Sequence, residues 1–165
     1  MSDLISADTT LKRVVGEMMN IDKRFVGLSR YLDDISFYWS TSIDTACAGD
    51  GFIFFNPNFW DNLVSEERKT VVAHEIWHLI LDHLNRGEGL DPDDYNIAND
   101  HVINLGLNSD GFKTQTPTNF DGGGILCDPQ YRNMSSEQIY RIIHQKKKQN
   151  PTDPKLQPAQ GTPSN

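Results

Sequence analysis

The apolar run from Val71 to Leu84 carries His74, Glu75 and His78 within it, and that placement limits what the chain can become. On a helix, residues four apart lie about 40° from each other around the axis, so His74 and His78 project from one face, one turn apart. Glu75, three residues before His78, borders the same face. Two neutral imidazoles so placed suit a shared Zn²⁺, and a carboxylate beside them can reach a water on the ion without being a ligand. With five histidines and six glutamates in 165 residues, the His-Glu-x-x-His spacing arises by chance in roughly 0.5% of such chains. Val71, Val72, Ile76, Trp77, Leu79 and Ile80 are uncharged, which predicts a buried helix. Burying three polar side chains on one stripe without a partner would be unfavourable.

A catalytic zinc usually takes three protein ligands and keeps one position for water. Asp100 is the expected third ligand. It lies 22 residues after His78, far enough for a helix end, a turn and an antiparallel return. Asn96, Asp100 and Asn104 recur every four residues and form a polar stripe, while Ile97, Ala98, Val102, Ile103 and Leu105 supply the apolar remainder. Asn96 and Asn104 are candidates to orient the carboxylate. His83 is kept as an alternative third ligand, although on an unbroken helix it sits about 180° from His74. His101, rotated about 100° from Asp100, is another alternative.

The rest of the chain alternates helical and extended patterns. Apolar positions from Leu11 to Leu32, three and four apart, predict one amphipathic helix over about 9–32. Ile35–Ser40, Thr45–Ala48 and Phe52–Phe55 read as short strands, with Gly49-Asp50-Gly51 as turn chemistry between the last two. Asn56-Pro57-Asn58 reads as a turn. Ser65 is the expected N-cap of the histidine helix, Glu66 and Glu67 sit in its first turn, and Gly87 or Gly89 ends it. Asp91-Pro92-Asp93 opens a helix to about Leu107, and Asp121-Gly122-Gly123-Gly124 reads as loop. Ser135 and Gln138 match a capping box for a last helix, whose closing Lys146-Lys147-Lys148 suits the negative end of its dipole. One domain over 1–149 and a disordered tail over 150–165, with four prolines, are expected.

Composition narrows the function classes. The net charge is −8, which disfavours nucleic acid and anionic membranes as partners. No apolar run approaches the ~20 residues that span a bilayer. The N-terminus shows no basic region followed by an apolar block, so no signal peptide is expected. Cys47 and Cys127 then read as reduced thiols that fill space in a cytoplasmic protein.

Four stretches carry a resemblance. They are Asn56–Trp60, Val71–Arg86 around the histidine motif, Tyr95–Asn104, and Tyr131–Tyr140. In this order they resemble the metallopeptidase domain that commonly precedes a von Willebrand factor A-like domain in bacterial proteins, over about residues 10–145. The resemblance implies an α+β, zincin-like fold of the gluzincin kind. It would have a short sheet, an active-site helix bearing the motif and a second ligand-bearing helix. It implies His74 and His78 as ligands, Glu75 as the base, Asp100 as the acidic residue of the second helix, and some role for His83. Two departures stand out: Asp82 occupies a position where a small residue is expected, and a C-terminal tail without an A-like domain is the expectation here.

Together these readings give a zinc-dependent metallopeptidase that hydrolyses a peptide or protein substrate with a Glu75-activated water. Phe52–Phe55 is the expected strand for pairing with that substrate. The alternative is a catalytically silent zinc-binding scaffold, adaptor or inhibitor module acting through a protein partner. Oligomeric state is not read from the sequence.

Overall fold

A computed structural model describes residues 5–114 and 125–150. Its architecture is α+β, as expected. The chain begins with β1 (Ile5–Ser6) and α1 (Asp8–Met18), whose Leu11, Val14, Val15 and Met18 are buried. The helix expected over 9–32 is three helices: α1, α2 (Arg24–Gly27) and α3 (Ser29–Asp33). The break comes at Asp22. Its carboxylate accepts the backbone N–H of Arg24 at 2.9 Å and pairs with the Arg24 guanidinium, a local bond that competes with helix continuation. The apolar periodicity survives the break, because Phe25 and Leu32 still reach the core.

Three further strands, β2 (Ser36–Trp39), β3 (Ala46–Gly49) and β4 (Phe52–Phe55), complete a sheet of order β1-β2-β4-β3. β2 and β4 run parallel, and the outer pairs are antiparallel. Asp50 and Gly51 both take positive φ, 48° and 79°, the two-residue hairpin geometry that an Asp-Gly pair favours. β4 is therefore interior, with partners on both sides. It cannot pair with a substrate as expected from sequence, and the strand with a free edge on that side of the described sheet is β3.

Asn56-Pro57-Asn58 is a helix start rather than a turn. The Asn56 side chain accepts from the N–H groups of Asn58 (2.8 Å) and Phe59 (3.3 Å), and Pro57 fills the first position of α4 (Pro57–Asn62). The histidine helix, α5 (Ser65–Ile80), has Val64 rather than Ser65 as its cap residue. Glu67 reaches back to accept the Val64 N–H at 2.8 Å.

α5 stops at Ile80, well short of Gly87. Asp82 adopts left-handed backbone, φ 52° and ψ 42°, and the chain restarts as α6 (His83–Arg86). An aspartate tolerates this region better than most residues, and Asn85 donates to its carboxylate at 2.7 Å. Arg86 donates to the Leu81 carbonyl at 2.9 Å and satisfies one acceptor at the end of α5. A Cβ on Gly87 would meet the Tyr95 ring at 2.7 Å, so this close approach requires glycine.

α7 (Pro92–Ser109) starts where expected, with Asp91 accepting the Asp94 N–H at 3.0 Å. A single 3₁₀ turn (Pro129–Tyr131) precedes α8 (Ser136–Gln149), which opens on the expected Ser135/Gln138 box. α7 is buried on two sides. Ile103 and Leu107 join the core of α1, α5 and the sheet, while Ile97, Ala98 and Leu105 pack with Ile139 and Ile143 of α8. A helix so enclosed brings its polar stripe inside. The loop at 121–124 and residues 151–165 of the expected tail lie outside the described residues. Among the described residues no helix is long and apolar enough to cross a membrane.

Candidate metal centre

α5 and α7 pack face to face, and the side chains of His74, His78 and Asp100 meet between them. Nε2 of His74 and Nε2 of His78 are 3.0 Å apart. Asp100 Oδ1 lies 3.3 Å from the first and 3.2 Å from the second. A tetrahedral ion with bonds of about 2.0–2.1 Å spaces its ligand atoms roughly 3.3–3.4 Å apart, close to this triangle. Asp100 Oδ1 is buried, and neither imidazole approaches it with hydrogen-bond geometry, so it stands without a hydrogen-bond partner. A buried carboxylate oxygen left in this way is unfavourable unless something else engages it. These three groups fit a divalent metal ion in spacing and in chemistry.

The electrostatics agree. Burial alone would push the His74 imidazole down. The Asp100 carboxylate, with smaller contributions from Glu75 and Asn104, instead carries it up to about 9. Burial would raise Asp100, but the two imidazoles hold it below the usual carboxylate range. The pocket is thus negative enough to attract a cation in place of a proton.

Each histidine is gripped on its far side. His74 Nδ1 lies 3.0 Å from Asn104 Oδ1, and the Asn104 amide donates to the Leu126 carbonyl at 3.1 Å. With its N–H₂ engaged there, Asn104 presents its oxygen to His74. A proton therefore sits on Nδ1 and Nε2 faces Asp100, where it carries a second proton in the metal-free protein below about pH 9 and offers a lone pair to an ion once that proton leaves. Asn104 thus orients a histidine, not the carboxylate anticipated from sequence. His83 is buried against His78, Nδ1 to Nδ1 at 3.2 Å, and lies outside the His74–His78–Asp100 group. Burial, with the nearby His78 and Arg86, pushes the His83 imidazole down to about 3. His101 faces elsewhere: its Nδ1 accepts the Asp128 N–H at 3.2 Å and its ring lies against Tyr131.

Glu75 is 7% exposed and also stays outside the group of three. Burial raises its pKa, against the pull of the two histidines. Glu75 and His78 open onto a cleft of about 820 Å³. One wall is the edge strand β3; Tyr95, Asn96 and Asn99 of α7 line another part. Asp50, Asp82, Glu88 and Asp93 also line it, and among the described residues no lysine or arginine does. Two features of this cleft carried no sequence signal. Asn99 Oδ1 is buried without a hydrogen-bond partner. Cys47 lies on the β3 wall, and burial, with Glu75 adding to it, pushes its thiol up to about 11. That keeps Cys47 protonated and unreactive near neutrality.

Residues 19–164 match the family model described as "Putative metallopeptidase domain". The chain belongs to that family. Membership points to a metal ion and to peptidase-type chemistry, and the His74–His78–Asp100 group is where the described residues of this metallopeptidase-family chain could hold the ion. No curated protein and no solved structure matches the chain significantly.

Proposed function

We propose that this chain is a zinc-dependent metallopeptidase in which His74, His78 and Asp100 hold the ion and Glu75 is the general base. The observation that carries the reading is the unpartnered Asp100 oxygen facing two Nε2 atoms at 3.2–3.3 Å, next to a buried glutamate on the cleft. Two nitrogens and one oxygen in a compact triangle favour zinc over harder cations that take only oxygen. The ion, when bound, supplies Lewis acidity that acidifies water and polarises the scissile carbonyl.

The protein side chains do the rest. Asn104 holds the His74 ring in the ligating tautomer. Glu75 takes the proton of the attacking water and later delivers it to the leaving amine. Its raised pKa suits that exchange better than an ordinary carboxylate would. The outer edge of β3 offers backbone groups to an extended peptide beside Glu75. The acidic lining favours basic side chains in that peptide. The two unpaired cysteines fit a reducing compartment such as the cytoplasm.

Glu75→Gln separates this enzyme from a zinc-bearing scaffold. The variant should keep its zinc and its melting temperature while cleavage of a peptide library falls by roughly 10²–10⁴-fold. Equal cleavage by the variant and the wild type would contradict the mechanism.

A further inference from the structure

His83 is one of three histidines that the metal group leaves over. It is 4% exposed, lies on α6 rather than α5, and reaches its position only because the chain breaks at Asp82. On a continuous helix its side chain would point about 140° away from that of His78. The left-handed Asp82 swings it back, so that its Nδ1 meets His78 Nδ1 at 3.2 Å. The other face of the ring, Nε2, lies 3.4 Å from the hydroxyl of Ser136, which is 2% exposed at the start of α8.

One proton must sit between the two facing Nδ1 atoms, and its owner decides what His78 can do. If His83 donated, the neutral His78 ring would carry its proton on Nε2. That N–H would point at His74 Nε2, 3.0 Å away, and leave no lone pair there for an ion. If His78 donates, its Nε2 lone pair faces His74 and Asp100. His83 then carries its own proton on Nε2, where the Ser136 hydroxyl can accept it. His74 is already set in this sense by Asn104.

We propose that His83 is a positioning residue for the metal centre: its Nδ1 accepts the Nδ1–H of His78 and so fixes the tautomer and orientation in which His78 ligates. The inference rests on the metal reading above and extends it along a chain of contacts from His78 through His83 to Ser136. Partners of this kind behind a ligating histidine typically change metal affinity by about 10–100-fold.

The test measures zinc affinity by chelator competition on the full chain, comparing wild type with His83→Phe and His83→Asn. Phenylalanine fills the volume without an acceptor, whereas asparagine can offer an oxygen close to the Nδ1 position. His83→Phe should weaken zinc binding by about 10–100-fold, and His83→Asn should recover most of that loss. Nitrogen-15 shifts of the imidazole rings in the zinc-loaded wild type provide the second readout, and they stand even if a variant fails to fold. They should show His78 protonated at Nδ1 and His83 at Nε2. Tight zinc binding by the wild type and by His83→Phe alike would overturn the role of His83 and leave the metal reading standing, as would a His83 ring protonated at Nδ1. A wild type that binds no zinc would overturn both.

Discussion

Helix α7 buries two aspartates, Asp94 (1% exposed) and Asp100 (5%), and each meets histidine from a neighbouring helix. Asp94 faces α8. His144 Nδ1 contacts one of its oxygens at 2.6 Å and Lys147 Nζ the other at 2.6 Å, so both oxygens are satisfied and a cation stands against the charge. Asp100 faces α5. One of its oxygens has two imidazoles within 3.3 Å and hydrogen-bonds to neither. The first cluster is complete as it stands and ties the N-terminal part of α7 to the C-terminal part of α8. The second, on the reading proposed here, is completed by an ion. What separates the two carboxylates here is therefore whether their partners meet them in hydrogen-bond geometry. Burial and a neighbouring histidine do not discriminate.

The largest contrast should come from removing each carboxylate. Asp100→Ala should weaken zinc binding by more than the ~100-fold upper end typical of outer partners, measured by chelator competition. Asp94→Ala should leave zinc affinity within a few-fold of wild type. If both variants lost zinc alike, the two aspartates would not differ in the way described.

Stability should show a smaller effect, in the opposite order. Asp94→Ala removes two short charge-assisted contacts from a buried position, and a loss of about 1–3 kcal/mol in chemical denaturation is expected, since His144 and Lys147 can still reach water. Above pH 9, where His74 has lost the proton that Asp100 holds on it, Asp100→Ala in the metal-free protein should be milder, because the deleted oxygen has no hydrogen-bond partner.

The smallest effect is one of pH. His74 in the metal-free protein is raised from the ordinary 6.5 to about 9. A raised pKa contributes stability that is fully present below pH 6.5 and is lost as pH rises towards 9. Asp100, held low, contributes above the usual carboxylate range and is lost in acid. Metal-free protein should therefore lose stability between pH 6.5 and 9. Zinc should remove that loss, because the ion takes the place of the proton and binds more tightly as pH rises. Lys147 beside Asp94 should not respond over this window, since its hydrogen bond to Asp94 raises it above its ordinary 10.5. Melting curves of Asp100→Ala and Asp94→Ala across the window check the assignment: the slope should vanish in the first and persist in the second.

The comparison also shows what a sequence can carry. Helical phase alone puts His74 and His78 on one face, and the four-residue stripe on α7 points at Asp100. Both depend only on spacing inside long, regular helices. Asp94 carried no signal in the sequence, because its partners are 50 and 53 residues away on α8, and no local pattern encodes that contact. Short-range side-chain bonds caused the other misses. Asp22 breaks the helical run by accepting the Arg24 N–H, and Asn56 starts α4 where Asn-Pro-Asn suggested only a turn. Asp82 breaks α5 without glycine or proline, and that single left-handed residue moves His83 from the far side of a helix to the back of His78. The edge position of β3 was equally hidden, because strand order depends on the parallel crossover from β2 to β4 rather than on any one strand.

On this reading His74, His78 and Asp100 together hold one zinc ion. Elemental analysis of the full chain, purified without added metal, would show it. Close to one zinc per chain is expected, falling to near zero in His78→Ala. A wild-type chain that carries no zinc, and takes up none tightly when it is offered, would contradict the account.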